Sequence, residues 1–207
     1  MDTTKTTWRP SRYAPFKAAL LLLDDDKADV KLIQDPKRRE ELLNSTKRLL
    51  TAAQDHNIAI VHCLLDTASD PPTTSEQAEK WWSILESVRT ANRFTISEYH
   101  EFAIKTRDTS DGSRESTYRL NPGYLREFVL LLHEKLHVTH VIMSGIKTSG
   151  TVLGTAIRAT NLNFADAIVT DACWDLGLPA HRVLFDTELP VSAWESTVDE
   201  AVAYMKE

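Results

Sequence analysis

The stretch "MSGIKTSGTVLGTAIRA" (Met143–Ala159) decides the fold, because an apolar run there passes directly into a helix-like segment. The run Val138–Met143 predicts a buried strand, and Thr148–Asn161 has the spacing of a helix. Small and hydroxyl-bearing residues fill the turn between them. Turns of this kind hold many catalytic nucleophiles, and the candidate by position is Thr151. A threonine hydroxyl is a weak nucleophile unless a neighbouring group activates it.

The same alternation of apolar runs and amphipathic segments extends along the chain in both directions. Predicted strands cover Ala18–Leu23, Ile58–Leu65, Glu101–Lys105, Val138–Met143 and Ala165–Thr170, with a last strand near "VSAW" (Val191–Trp194). Predicted helices cover Lys37–His56, a segment from about Ser75, Asn121 to about Lys135, and Thr148–Asn161, and the capping box "TVDE" (Thr197–Glu200) opens a terminal helix. The segment "PAHRVLFDTEL" fits either a helix or a strand. "TRDTSDGSREST" (Thr106–Thr117) reads as a polar loop.

Strands that alternate with helices predict a parallel sheet covered on both faces. We therefore expect an α/β fold, a three-layer α/β/α sandwich with a mainly parallel, six-stranded, Rossmann-like sheet. Residues 1–15 read as an N-terminal arm, and residues 16–207 as a single domain. The length of 207 residues suits one core.

Composition narrows the class of protein. The net charge of −6 argues against a nucleic-acid surface, which needs clustered Lys and Arg. No apolar stretch is long enough to span a bilayer, and the N-terminus lacks the apolar core of a signal peptide, so we expect a cytoplasmic protein without membrane contact. Two cysteines, Cys63 and Cys173, are too few for a disulfide framework.

Ligand sites of parallel sheets lie at the carboxyl ends of the strands, which shortens the list of candidates. The strands predicted above end at or near Asp24, Asp66, Lys105 and Asp171, and the fourth leads through Ser144–Gly145 to Lys147 and Thr151. An acid at Asp24, a cation at Lys105 and a hydroxyl at Thr151 stand out as a set that could converge. The neighbouring acids Asp25 and Asp26 are expected to be solvated loop residues.

Several of these segments together resemble the isochorismatase-like, or cysteine hydrolase, family. "KAALLLLDDDKADV" resembles the strand that ends in the family's catalytic Asp, which implies that role for Asp24. "FAIK" resembles the strand that delivers its Lys, which implies Lys105. "NPGYLREFVLLLHEKLHVTHVIMSGIKTSGTVLGTAIRATNLNFADAIVTDAC" resembles the longest family signature, and the family's cysteine falls on Thr151.

The resemblance implies acid–base chemistry without a cysteine nucleophile. A helix start and a nearby cation lower the pKa of a thiol enough to give a thiolate at neutral pH. The pKa of a threonine hydroxyl is far higher, so the same effects do not give a useful amount of alkoxide. As in true isochorismatases, Asp24 would act as general acid, Lys105 would hold an anion, and Thr151 would place water or substrate. A cis peptide is expected at Ile146–Lys147. Substrate binding is assigned to the turn, at Ile146, Lys147, Thr148 and Gly150, with backbone amides near Lys147 and Thr151 forming an anion pocket.

We expect neither a metal nor an organic cofactor. Nicotinamidase-type relatives bind a metal through Asp-x-His and a further His, and "VHCLLDTASDPP" (Val61–Pro72) lacks that pattern. The expected partner is a small-molecule substrate. The resemblance also implies a homo-oligomer, since relatives are commonly oligomeric. The adjacent Trp81 and Trp82 cannot both face the core well, which suggests one interface.

Two alternatives remain open at this point. Asp24-x-Asp26 and Asp171-x-x-x-Asp175 resemble the first and fourth motifs of haloacid-dehalogenase-type magnesium phosphatases, in which Asp24 would attack phosphorus. A family member without the cysteine could instead be an inactive binding protein. Cys173 is a poor substitute nucleophile, since it lies on another element.

Overall fold

The computed structural model describes residues 17–25, 27–63, 79, 82, 86, 117–120 and 129–207. The strands within them are β1 Ala18–Leu23, β2 Ala59–Cys63, β3 Thr117–Leu120, β4 His140–Ile146, β5 Ala165–Trp174 and β6 Trp194–Ser196. They form one sheet in the order β3-β2-β1-β4-β5-β6, and all neighbours are parallel. The predicted α/β class with a parallel sheet is confirmed.

The helices of the described residues are α1 Lys27–Leu32, α2 Pro36–Asp55, α3 Leu153–Asn161, α4 Leu178–Thr187, α5 Leu189–Ser192 and α6 Val198–Met205. π-Helical segments cover Leu130–Lys135 and Thr148–Val152, and the second runs directly into α3. The capping box at the start of α6 is confirmed: Thr197 accepts from the Glu200 amide and Glu200 from the Thr197 amide. Every helix in the described ranges is too short or too polar to traverse a membrane.

The leucine run of β1 is buried along its whole length because both faces of the sheet are covered. One face packs against α3, α4 and α5 through Ala19, Leu21 and Leu23. The other face packs against α2 and α6 through Ala18, Leu20 and Leu22. Alternate residues thus point to opposite layers, which gives the predicted α/β/α arrangement. Burying each leucine contributes about 1.5–3 kcal/mol.

The strand order creates a topological switch point between β1 and β4. The chain leaves β1 towards α2 on one face, whereas it leaves β4 towards α3 on the other. The two connections diverge and leave a crevice at the carboxyl ends of these strands, the usual ligand site in such sheets. Asp24 and the Ile146–Thr151 turn follow β1 and β4 directly.

Gly145 allows β4 to approach β1 at this crevice. Its φ is +148°, and a Cβ atom there would lie 2.1 Å from the Leu23 carbonyl oxygen. Only glycine tolerates both the backbone angle and the contact.

Three element predictions were wrong. The last strand is not Val191–Trp194 but β6 at Trp194–Ser196, because Leu189–Ser192 forms the short helix α5. β5 does not end at Thr170 but continues to Trp174 through an irregularity in its pairing with β4. A strand that was not predicted, β3, forms at Thr117–Leu120, starting at the last residue of the predicted polar loop. The predicted strand Glu101–Lys105, the start of the Asn121 helix and the arm at 1–15 lie outside the described residues. Of the helix predicted from about Ser75, only Glu79, Trp82 and Glu86 are described, and these three residues are helical. The ambiguous segment after β5 is helical, as α4.

Two buried titratable groups lie at the opposite, amino edge of the sheet. His140 begins β4 and is hydrogen-bonded to the Tyr204 hydroxyl and, at 3.1 Å, to Thr139 Oγ1. Asp166 lies on β5 and accepts from Thr160 Oγ1 at 3.2 Å. Burial lowers the pKa of His140 from 6.5 to about 4. Burial also raises the pKa of Asp166 from 3.8 to about 7, against the opposing effect of its hydrogen bonds.

These shifts predict opposite pH effects on stability. The contribution of Asp166 is present at low pH and is lost as the pH rises from about 4 to 7, whereas that of His140 is lost as the pH falls below 6.5. We therefore expect Asp166→Asn to gain stability relative to wild type, by up to about 1.4 kcal/mol per pH unit between pH 4 and 7. Urea unfolding at four pH values measures this difference. A difference independent of pH would contradict it.

Candidate active site

Asp24 is the first residue after β1, and its backbone directs it into the crevice. Its φ of +51° is a left-handed conformation, which turns the chain sharply at the end of the strand. Its amide donates to the Cys63 carbonyl at 2.9 Å, so the turn is still tied to β2. The half-buried carboxylate accepts a hydrogen bond from Thr151 Oγ1.

Thr151 reaches Asp24 from the other side of the switch point. It lies in the π-helical turn Thr148–Val152, which β4 delivers to the same edge of the sheet. The Gly150 and Val152 amides both bond the Lys147 carbonyl, at 3.1 and 3.3 Å, which closes the turn. The Ile146–Lys147 peptide that precedes it is cis, as the resemblance implies. The structure therefore brings together the predicted acid and the predicted hydroxyl.

The four predicted substrate-binding residues have different environments. Ile146 is buried and packs against Trp174, and Thr148 is buried with its hydroxyl 2.8 Å from His181 Nδ1. Their side chains therefore belong to the interior. Lys147 and Gly150 are more accessible, and Lys147 Nζ lies 3.7 Å from Asp29 Oδ1 on α1.

Asp175 and His181 contact this turn, although no sequence pattern had placed them beside it. Asp175 follows β5, is buried, and accepts from the Ser149 amide at 2.6 Å and the Gly177 amide at 3.0 Å. Burial acts to raise the pKa of Asp175, but its hydrogen bonds with Ser149 and Gly177 and the nearby His181 lower it overall. Burial, with Arg38 and Arg182 nearby, lowers the pKa of His181. In the sequence, Asp175 stood out only as part of a possible magnesium-binding motif. That motif does not indicate that the carboxylate accepts hydrogen bonds from backbone amides.

Asp25 is 1% exposed, so its prediction as a solvated loop acid was wrong. The connection after β1 turns inward at Asp24 and carries the next residue into the interior. Asp26 and Lys105 lie outside the described residues, so the predicted approach of Lys105 to Asp24 stays a prediction.

Both thiols are buried away from solvent. Cys63 and Cys173 have 0% exposure. Burial raises the pKa of both, that of Cys173 to about 12, and the nearby Asp24 adds to the effect at Cys63. Neither cysteine has the accessible thiolate that nucleophilic attack needs.

Asp171 does not end a strand at the crevice, contrary to the prediction. It lies where β5 bulges, it is exposed, and its carboxylate accepts from the Val198 amide at 2.8 Å, at the start of α6. Asp171 and Asp175 thus bond backbone amides on different elements and do not form the magnesium pair of the phosphatase alternative. The described residues contain no group of three or more His, Cys, Asp or Glu that could hold a metal ion.

Comparison with known proteins identifies the family. The model of the isochorismatase domain matches residues 18–196, from the start of β1 to the end of β6. The chain belongs to the isochorismatase family. This assignment also removes the haloacid-dehalogenase alternative. A comparison with curated proteins gives no significant match.

Solved structures agree on the fold. A cysteine hydrolase from Pseudomonas syringae pv. phaseolicola superposes with a TM-score of 0.68 at 13% identity, covering 100% of this chain and 99% of its own. An isochorismatase family protein from Burkholderia thailandensis gives 0.61 at 15% identity, covering 94% and 98%. The YcaC gene product of Escherichia coli, an octameric hydrolase of unknown specificity, gives 0.60 at 16% identity, covering 96% and 83%.

Proposed function

We propose that this protein is a hydrolase-like enzyme that acts on a small metabolite through acid–base chemistry at Asp24, without a cysteine nucleophile. Thr151 occupies the position that the cysteine takes in related hydrolases. The reaction is hydrolysis without a covalent intermediate, or a lyase or isomerase step that uses the same acid. No metal or organic cofactor takes part.

The observation that carries this proposal is the hydrogen bond from Thr151 Oγ1 to the Asp24 carboxylate at the switch point. The two residues are separated by 127 positions in the chain, and they meet where parallel sheets bind ligands. A carboxylate that already accepts one hydroxyl proton is well oriented to exchange a proton with a substrate or a water in the same crevice.

The chemistry follows from the two groups. Asp24 in its protonated form donates to an enol-ether carbon or a leaving oxygen, and water then adds to the resulting cation. When Asp24 is ionised, the Thr151 hydroxyl donates to it; when Asp24 is protonated, the hydroxyl oxygen can accept from it or hold the attacking water. Neither state requires an alkoxide at Thr151, whose formation at neutral pH would be too unfavourable.

Cations would select an anionic or carbonyl-bearing substrate. We assign Lys105 to hold the substrate anion and support Asp24. Lys147 is a second candidate, because its ammonium group is half exposed beside the turn and is balanced only loosely by Asp29 at 3.7 Å. A long, partly exposed ion pair of this kind contributes little stability, so a substrate carboxylate can replace it at small cost.

We also propose a homo-oligomer in the cytoplasm. The related YcaC gene product is octameric, and Trp82 of this chain is 43% exposed. Large, partly exposed aromatic side chains are enriched at subunit interfaces.

The test is a substrate screen before and after treatment with iodoacetamide. Vinyl ethers, esters and amides with and without a carboxylate cover the relevant bond types. We expect turnover of at least one class to survive the thiol reagent unchanged, because the two buried cysteines take no part. Inactivation by iodoacetamide would contradict the proposal. Binding of a ligand without any turnover would favour the alternative, an inactive family member that serves as a binding protein.

A further inference from the structure

The turn that carries Thr151 is hydrogen-bonded to a carboxylate of the protein itself, that of Asp175. Asp175 Oδ2 accepts from the Ser149 amide at 2.6 Å, and Asp175 Oδ1 accepts from the Gly177 amide at 3.0 Å. Ser149 lies only two positions before Thr151, inside the same turn. The Gly150 and Val152 amides are bonded to the Lys147 carbonyl. The anion pocket expected from the sequence is therefore at least partly filled by groups of the protein itself.

A second contact from the same region fixes the turn. His181 lies on α4, which begins just after Asp175, and its Nδ1 is 2.8 Å from the buried Thr148 hydroxyl. His181 is held in turn by an edge contact with Phe185, with ring centroids 5.0 Å apart. Two successive residues of the turn, Thr148 and Ser149, are thus bonded to the segment that follows β5.

The negative charge of Asp175 has an electrostatic consequence for the helix start. The turn Thr148–Val152 continues into α3, so its amide groups form the positive end of a helix. In a thiol enzyme that positive end lowers the pKa of the nucleophile. A carboxylate hydrogen-bonded to the same turn offsets this positive charge and therefore counteracts the lowering of the pKa. The lowered pKa of Asp175 means that this carboxylate is ionised at neutral pH.

We propose that Asp175 is a positioning residue: its carboxylate holds the turn after β4 so that Thr151 donates to Asp24, and it supplies the negative charge that a thiolate would otherwise provide. Asp175 acts through the turn and does not touch the reacting atoms. The inference rests on the proposed function, because it explains why this helix start works with a hydroxyl and an acid rather than with a thiolate.

The test uses a reporter thiol and needs no substrate. In the Thr151→Cys variant, the rate of iodoacetamide alkylation against pH gives the pKa of the introduced thiol, and the two buried natural cysteines stay unreactive. Adding Asp175→Asn keeps an amide oxygen as acceptor but removes the charge. We expect the thiol pKa to fall by about one unit and the alkylation rate at pH 7 to rise about three- to fourfold, because the thiolate becomes about ten times more abundant but less nucleophilic.

Asp171→Asn is the matched control, because Asp171 also accepts an amide hydrogen bond at a helix start, that of α6. It should leave the thiol pKa unchanged, as the groups around the turn, namely Asp24, Lys147 and His181, are the same in both variants. Asp175→Ser, which keeps an oxygen acceptor without charge, gives a second measurement if Asp175→Asn unfolds. A thiol pKa that is equal in the Asp175 and Asp171 variants would overturn the proposal. That result would leave the acid–base function of Asp24 untouched, since the assay measures no turnover.

Discussion

Gly145→Ala is expected to destabilise the protein by more than about 4 kcal/mol, a large fraction of the roughly 5–15 kcal/mol by which single domains are stable. The added Cβ would lie 2.1 Å from the Leu23 carbonyl oxygen and 2.7 Å from the Leu23 Cβ, in the centre of the sheet. Neither strand can move aside, because β1 is paired with β2 and β4, and β4 is paired with β1 and β5. The φ of +148° adds strain for any residue with a side chain.

Gly154→Ala is the matched control for this substitution. Gly154 lies on α3, and a Cβ atom there meets nothing within 4 Å. Alanine is a better helix former than glycine, so this variant should gain about 0.5–1 kcal/mol. Thermal unfolding of both variants measures the contrast. A Gly145→Ala protein as stable as wild type would mean that β4 does not approach β1 this closely at Gly145.

The sequence predicted β1 correctly at both ends because its signal is local. Ala18–Leu23 is an unbroken apolar run with a lysine before it and acids after it, and a strand buried on both faces needs nothing else. The end of β5 was missed because the polar pair Thr170–Asp171 looks like a strand end. In the fold, β4 and β5 pair at Met143–Ile168 and again at Gly145–Cys173, so Val169–Ala172 bulges opposite a single residue of β4. That register depends on tertiary contacts, which no local pattern encodes.

The residues of the site likewise divide into those that a local sequence signal predicts and those whose role depends on tertiary contacts. Asp24 and Thr151 could be predicted, since each follows a strand in sequence and strand ends of a parallel sheet converge. Asp175 and His181 could not, because their role lies in contacts with Ser149 and Thr148 on another element. The burial of Asp25 was missed for a related reason. Its neighbour Asp24 adopts a left-handed backbone conformation, and a run of three acids gives no sign of that turn.

Asp24→Asn is expected to reduce kcat by about 10²- to 10⁴-fold on whichever substrate the screen identifies, with the fold intact. Asparagine has the size of aspartate and tolerates the φ of +51° at this position, so the backbone turn is kept. Only the transferable proton is lost. Thr151→Val, which keeps the shape of threonine without its hydroxyl, should reduce kcat about tenfold. This is the effect of losing one hydrogen bond to a charged group.

The double variant of Asp24→Asn with Thr151→Val tests the central claim most directly, which is that these two side chains act as one pair. If they do, Thr151→Val has little further effect once Asp24 is replaced, so the double variant should have about the kcat of Asp24→Asn alone. Thermal unfolding of the three variants controls for damage to the fold. The account is contradicted if Asp24→Asn keeps wild-type kcat, or if the two losses multiply in the double variant.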